Sequence, residues 1–341
     1  MPKNIKKLNL ALQGGGAHGA LSWGILDKIL EDGRIQFDSI SATSAGAMNA
    51  VVLAYGLTKG GNEGAREALH DFWKAISEAG EQYNPIKTTA LEDFFGISVE
   101  NSMSYFVFDM LSKTFSPYQS NPMNFNPLRD ILEKHVDFDL LKKSSALKLF
   151  ISATNVKTGK IKVFEHKEIS LDAVMASACL PLMFQAVQVK DEFFWDGGYM
   201  GNPAIFPLIY NSKTNDILII HINPIIRDNV PQTPAEILNR MNEISFNSSL
   251  MREMRAINFV GKMLKDGWVK DEYAKNMKDL SLHAIRADLV MKSYSVASKL
   301  DPDWSFLKQL FELGRIEGEL WLKDNFRHIG KQSSIDINEY L

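Results

Sequence analysis

Two tight turns constrain this chain more than any other feature, because each stands between an apolar strand-like run and a helix-like run. The first is Gln13-Gly14-Gly15-Gly16-Ala17-His18-Gly19, after the run 8–13 and before the helical pattern 20–30. Consecutive glycines let the backbone take positive φ and let a ligand approach bare N–H groups. A helix start just beyond adds partial positive charge, so the loop suits a phosphate or an oxyanion. The second turn is Ala42-Thr43-Ser44-Ala45-Gly46, after a short strand pattern 39–43 and before the helical run 45–57. A serine among small residues at a strand-to-helix turn is the arrangement of a nucleophile elbow, with Ala42 here in place of the first glycine of G-x-S-x-G. A helix-capping serine gives the same local pattern. Beside a glycine loop the nucleophile reading gains weight, because acyl transfer needs both a nucleophile and donors for the oxyanion.

The alternation continues with a helix over 63–77 and strands over 147–156, 160–165, 186–195 and 216–223. This order predicts an α/β fold, a mostly parallel central sheet with helices packed on it. After Pro224 the pattern changes. Pro231 and Pro234 bracket a linker, and Ile237, Met241, Ile244, Met251, Met254, Ile257, Val260 and Leu264 then follow helical spacing, a stripe read as buried core. A last helix is expected over 304–326. The expected organisation is a catalytic domain over 1–225 and a helical C-terminal extension over 226–341. Within the first lies 83–126, rich in aromatics: Phe94, Phe95, Tyr105, Phe106, Phe108, Phe115 and Tyr118. It reads either as a core-covering excursion with short helices or as an active-site lid that faces lipid.

Composition narrows the classes. With 341 residues, 45% hydrophobic, and a net charge of −3, the chain has the profile of an ordinary soluble protein and no electrostatic case for binding nucleic acid. Its one cysteine, Cys179, can make no internal disulfide and no cysteine-based zinc site. The seven histidines are dispersed, so no helical pair of metal ligands exists. No apolar run approaches a membrane span, and the basic start 1–7 runs into the glycines, a poor secretory signal. The expectation is a metal-independent cytoplasmic protein that needs no cofactor.

Gly14, Gly16 and Gly19 also satisfy G-x-G-x-x-G, so a dinucleotide site has to be weighed. That reading needs an acidic residue at the end of the second strand. Asp38 is read as lying before it, and the strand runs instead into Ser44. For activating Ser44, an α/β-hydrolase triad would need a later acid and histidine. His221 falls in an apolar strand, and His283 and His328 fall in helical patterns, where structural or solvated roles are expected. The other base is Asp196, which ends a strand pattern in Trp195-Asp196-Gly197-Gly198 and opens a glycine turn.

Gly14-Gly15-Gly16-Ala17-His18-Gly19, Thr43-Ser44-Ala45-Gly46 and Asp196-Gly197-Gly198, in this order, resemble the three motifs of patatin-like phospholipases. The stretches Ser152-Ala153-Thr154-Asn155 and Ala176-Ser177-Ala178-Cys179-Leu180-Pro181-Leu182-Met183-Phe184 also resemble that family, and the likeness spans 8–207. The resemblance implies a three-layer α/β/α fold, a Ser–Asp dyad in place of a triad, hydrolysis of lipid acyl esters and no metal. By motif position it makes Ser44 the nucleophile, Asp196 the base and the backbone N–H groups of Gly15, Gly16 and Ala17 the oxyanion donors. Gly14, His18, Gly19, Gly46, Gly197 and Gly198 support them. The family usually carries Arg or Lys where this chain has His18, so any charge there is expected to depend on pH. The tail resembles extensions of bacterial members, some assigned to intracellular polyester breakdown. The expected partner is a lipid or other acyl ester, met at a membrane surface by peripheral contact. The alternatives are a polyhydroxyalkanoate-type depolymerase using the same dyad, and a non-catalytic protein that holds a nucleotide or phosphate on the glycine loop.

Overall fold

The structure, a computed structural model, describes residues 5–84, 86, 102–144, 147–286 and 288–341. Strand β1 (Lys6–Leu12) leads through the glycine turn into α1 (Gly19–Asp32), then β2 (Ile35–Ala42) and the long helix α2 (Ala45–Tyr83). The two helices expected over 45–57 and 63–77 are joined in α2, which kinks where Gly60 and Gly61 leave helical φ/ψ. The chain continues through α3 (Met103–Thr114), α4 (Pro127–His135), β3 (Lys148–Asn155), β4 (Ile161–Glu165) and α5 (Leu171–Ser177). Next come β5 (Val187–Val189), β6 (Glu192–Asp196), α6 (Phe206–Asn211) and β7 (Asp216–His221). The last elements are α7 (Pro234–Lys265), β8 (Ser281–Arg286) and α8 (Trp304–Asn325), joined and followed by short helical turns. The single strand expected over 186–195 is a hairpin, since Lys190 at φ 55° turns the chain back on itself.

The eight-stranded sheet has the order β5-β6-β3-β2-β1-β7-β8, with β4 also paired to β3. Pairs β1–β2, β1–β7, β2–β3 and β7–β8 are parallel, and the pairs made by β4, β5 and β6 are antiparallel. From β1 the chain builds the sheet first to one side and later to the other, so a crevice opens at the carboxyl ends of β1, β2 and β7. Leu8, Leu10 and Leu12 of β1 join the core under α1, α2 and α8, while Ala11 joins Ile217 and Ile219 in a second core under α7. Covered on both faces, β7 can be apolar without alternation, and all six of its residues are buried. This is the three-layer α/β/α arrangement.

The segment after Pro224 is not helices alone. Residues 281–286 form β8, which extends the sheet in parallel beside β7. Consequently His283, expected in a helix, lies on a strand. Helix α8 meets α1 backbone to backbone: an added Cβ at Gly24 would fall 2.0 Å from the Phe311 carbonyl oxygen, and one at Gly314 would fall 2.1 Å from that of Leu21. The stripe on α7 divides. Met254 is buried over the sheet and Met251 and Ile257 are half-buried beside it, whereas Ile237, Met241 and Ile244 are exposed because that part of the helix turns Glu243, Phe246 and Asn247 inward instead. Asp38 lies inside β2, which starts earlier than its apolar run suggests, and accepts the Lys213 N–H. No helix among the described residues is long and apolar enough to cross a membrane.

Candidate active site

Register brings the two separate turns to one level. Ala42 at the end of β2 pairs with Ile151 of β3, so Ala153, two residues on, is level with Ser44. Asp196 pairs with Ala153 across the β3–β6 ladder. Because β6 is antiparallel to β3, it is this register and not a shared strand direction that carries Asp196 to the crevice.

Ser44 caps α2 at φ 54° and ψ −125°, a left-handed position that a serine occupies only under strain. Its N–H donates to Ser177 Oγ at 2.9 Å, which holds the turn from the α5 side. The small neighbours are required by contact. A Cβ on Gly46 would meet the Leu12 carbonyl oxygen at 2.6 Å, and one on Gly14 would meet Ser44 Cβ at 2.5 Å. Gly19 packs on Ala45 and Trp73, and Gly197 lies against the Ser152 carbonyl.

Asp196 is fully buried. Its Oδ1 accepts the Gly198 N–H at 2.7 Å, and its Oδ2 has no partner of hydrogen-bond geometry among the described residues. Burial pushes its pKa up to about 6, against the Gly198 N–H, the Ser44 hydroxyl and the Lys299 charge, which pull it down. The Ser44 hydroxyl therefore faces this carboxyl without a fully formed hydrogen bond, a looseness common where the bond tightens only in the reacting complex.

The glycine loop closes the third side. Gly15, Gly16 and Ala17 line a cleft of about 420 Å³ together with Ser44 and Asp196. Gly16 and Ala17 open a short 3-10 turn, whose first N–H groups have no preceding carbonyl to meet. Gly14 is fixed at both ends, its N–H on Asn202 Oδ1 at 2.7 Å and its carbonyl on Asn223 Nδ2 at 2.9 Å. His18 turns away from the cleft, bonds Ser298 Oγ at 2.8 Å and packs on Tyr294 and Phe306. Burial first, then the Lys299 charge, push its pKa well below the ordinary histidine range, so His18 carries no charge at neutral pH. The other histidines weighed as bases are elsewhere. His221 bonds the Tyr340 hydroxyl and is pushed down to about 3 by burial, and His283 lies between Asp216 and Ser334.

Several residues of the site carry no sequence signal of their own. Gln13, Asn202, Asn223 and Asn247 form a buried amide network under the glycine loop. Gln13, which opens the glycine turn, Asn202, just past the Asp-Gly-Gly turn, and Ser177, inside a family-like stretch, stand at or near a motif; Asn223 and Asn247 do not. Lys299 comes from the tail, with its carbonyl oxygen only 2.2 Å from where a Cβ of Gly16 would stand. Gly16 also sits at φ 58°. Gly16→Ala is accordingly expected to cost at least about 2 kcal/mol of stability, seen calorimetrically as a clearly lowered melting temperature. Gly159→Ala has a similar φ of 66° but open space around it, and should cost only about 1 kcal/mol.

The walls of the cleft are apolar, among them Phe72, Trp73, Ile76, Ile131 and Met183. Tyr105 of α3 also lines it. Helix α3 buries none of its residues and exposes Met103, Phe106 and Met110, while Phe108 is half-buried. Phe94 and Phe95, grouped with them by sequence, lie outside the described residues. A larger hollow of about 800 Å³, bounded by Phe206, Ile257 and Leu280, contains neither Ser44 nor Asp196.

Fold and site together define an α/β protein that sets a strained serine, a buried carboxyl and a row of backbone N–H groups around one apolar cleft. The family model for patatin-like phospholipase matches residues 10–209, and the chain belongs to that family. No curated protein matches the chain. Among solved structures it is similar to VipD from Legionella pneumophila, with 16% identity and a TM-score of 0.40, covering 94% of this chain and 67% of that one. It is also similar to ExoU of Pseudomonas aeruginosa, solved in complex with SpcU, with 14% identity, a TM-score of 0.31, and coverage of 92% of this chain. The chain spans about half of ExoU, 53% of its length. Both likenesses are distant.

Proposed function

We propose that this protein is a serine acyl-ester hydrolase acting on lipids, with Ser44 as nucleophile and Asp196 as its base. The observation that carries this reading is the buried, half-satisfied Asp196 carboxyl facing the strained Ser44 hydroxyl in the cleft edged by Gly15, Gly16 and Ala17. Asp196 takes the Ser44 proton as Oγ bonds to the ester carbonyl carbon, and the carbonyl electrons move onto oxygen. The N–H groups of Gly15, Gly16 and Ala17 stabilise that oxyanion, a contribution of roughly 3 kcal/mol per donor in comparable sites. As the tetrahedral adduct collapses, the C–O bond to the leaving alcohol breaks and Asp196 returns the proton to it. Water then attacks the acyl-Ser44, losing its proton to Asp196, and the acid leaves as Ser44 regains a proton. The test is hydrolysis of a short soluble ester by purified protein together with fluorophosphonate labelling. Labelling with no hydrolysis of any ester in a panel of phospholipids, glycerides and hydroxyalkanoate oligomers would overturn the enzymatic reading.

Lipid is the favoured substrate class because the cleft walls are apolar and α3 stands at the cleft through Tyr105 with Met103, Phe106 and Met110 outward. In this reading α3 is a lipid-facing flap. Phe106, 63% exposed, is the residue to change, since Phe108 is half-buried and its substitution would mix folding with function. Phe106→Glu is expected to lower turnover of phospholipid vesicles about tenfold or more while short-ester turnover stays within about twofold. Equal losses on both substrates, with a lower melting temperature, would refute the flap. An intracellular polyester depolymerase would use the same dyad, and the substrate panel separates the two.

A further inference from the structure

Lys299 stands in the short 3-10 turn Ala297–Leu300, beyond the residues that match the family model, yet it lines the same cleft as Ser44 and Asp196. Its ammonium donates to Asn223 Oδ1 at 2.8 Å and to Asn242 Oδ1 at 2.9 Å, and lies 5.3 Å from the Phe246 ring centre. No carboxylate oxygen lies within 4.0 Å of it among the described residues. A charge held by neutral amides in place of a carboxylate calls for an explanation in the cleft it faces.

The explanation lies in what the ammonium does to Asn223. An ammonium has donors and no acceptor, so the Asn223 atom it meets must be the oxygen. The amide nitrogen is thereby turned the other way, where it donates to the Gly14 carbonyl at 2.9 Å and to Gln13 Oε1 at 3.2 Å. Asn223 is 1% exposed, so no water competes for these bonds. A peptide is planar and trans, and its N–H points opposite to its C=O. With the Gly14 carbonyl drawn to Asn223, the Gly15 N–H is held facing away from it. A cation on the amide oxygen also polarises the amide and strengthens its N–H donors.

Resting on the hydrolase reading above, we propose that Lys299 is a positioning residue for the oxyanion loop: through Asn223 it fixes the Gly14–Gly15 peptide with the Gly15 N–H toward the reacting carbonyl oxygen. Without the ammonium, the buried Asn223 oxygen loses its charged donor, the amide's hold on the Gly14 carbonyl weakens, and the peptide can rotate, which would turn a carbonyl toward the developing negative charge. The effect therefore falls on the transition state and not on substrate binding.

Charge on Lys299 is sensitive to its surroundings. Burial draws its pKa down to about 8, with Arg227 acting in the same direction and with Glu243 and Asp196 opposing. His18, on the loop side, is neutral in this range. Activity that depends on the ammonium should therefore decline above about pH 8 as it loses its proton.

The experiment compares native protein, Lys299→Met, Lys299→Arg and Asn223→Asp on p-nitrophenyl butyrate, with melting curves for each. Lys299→Met is expected to lower kcat roughly ten- to a hundredfold, leave KM within about threefold and remove the basic limb of the kcat profile. Lys299→Arg should recover most of the lost kcat. Asn223→Asp keeps a partner for Lys299 but removes the donor to Gly14, and should lose kcat to a similar extent. This variant decides the matter where Lys299→Met fails to fold. A native-like kcat in either Lys299→Met or Asn223→Asp, a loss lying wholly in KM, or an unchanged basic limb would overturn the proposal. Fluorophosphonate labelling separates this failure from that of the hydrolase reading. Native protein unlabelled at Ser44 sinks the hydrolase, whereas native protein and Lys299→Met labelled at equal rates sink the role of Lys299 alone.

Discussion

Ser44→Ala is expected to abolish both ester hydrolysis and fluorophosphonate labelling, with a loss in kcat of at least about a thousandfold. The size follows from the proposed mechanism, because no other described residue of the cleft takes the place of the attacking oxygen in it. The variant should stay folded, since the Ser44 N–H, which bonds Ser177, is unaffected. Ser44→Gly offers a sharper contrast. It is equally inactive, yet it removes the penalty of holding a side chain at φ 54° and should be about 1 kcal/mol more stable than the native protein. A position where glycine fits better and serine stands is one where the hydroxyl is kept for its chemistry. Mass spectrometry of the labelled native protein should place the adduct on Ser44. An adduct formed as fast on another serine, or full activity in Ser44→Ala, would remove this residue from the mechanism.

Asp196→Asn is expected to lower kcat by about 100- to 10,000-fold, because it keeps the size and the bond to Gly198 while removing the proposed base. The native enzyme should show the corresponding acid limb. Asp196 acts as a base only when ionised, so activity should fall as pH drops through about 6, with a slope of one proton. Stability runs the other way. The folded pKa of about 6 exceeds the ordinary value of 3.8, so the folded state binds this proton more tightly than the unfolded chain. The contribution is greatest below pH 3.8 and is lost as pH rises to about 6, a change of about 3 kcal/mol. Above that, the ionised buried carboxylate opposes folding by the full amount, and Asp196→Asn should melt no lower than the native protein at pH 8. An active Asp196→Asn, or an acid limb unchanged in that variant, would assign the base elsewhere.

The strain at this site and the legibility of its motifs have a common origin. The strained Ser44 and the glycines around it are dictated by backbone contacts within a few residues of each turn, or between strand ends that the turns themselves bring together. Gly14 cannot carry a Cβ because Ser44 is there, and Gly46 cannot because Leu12 and Gln13 are. Such demands fix residue type at each position, and so they are written in the sequence. The α/β alternation is legible for a similar reason, since strand and helix patterns are properties of short windows.

Burial and pairing between distant segments are not written that way. Nothing near Trp195-Asp196 says that β6 runs antiparallel to β3, and only the Ala153–Asp196 register puts the carboxyl level with Ser44. Residues 281–286 carry no mark of joining the sheet, because β8 takes its partner β7 from some sixty residues earlier. His18 reads as a pH-dependent charge until Ser298, Tyr294 and Phe306 enclose it. By itself the sequence determined the family, the α/β class, and the serine, aspartate and glycines of the cleft, since turn chemistry selects residues locally. Only the tertiary structure decided how Asp196 comes to face Ser44, how the tail completes the sheet, and that Lys299 and the buried asparagines brace the glycine loop. Those contacts join residues as far apart as Gly16 and Lys299, and their energy depends on exclusion from water, which no single segment of chain can bring about alone.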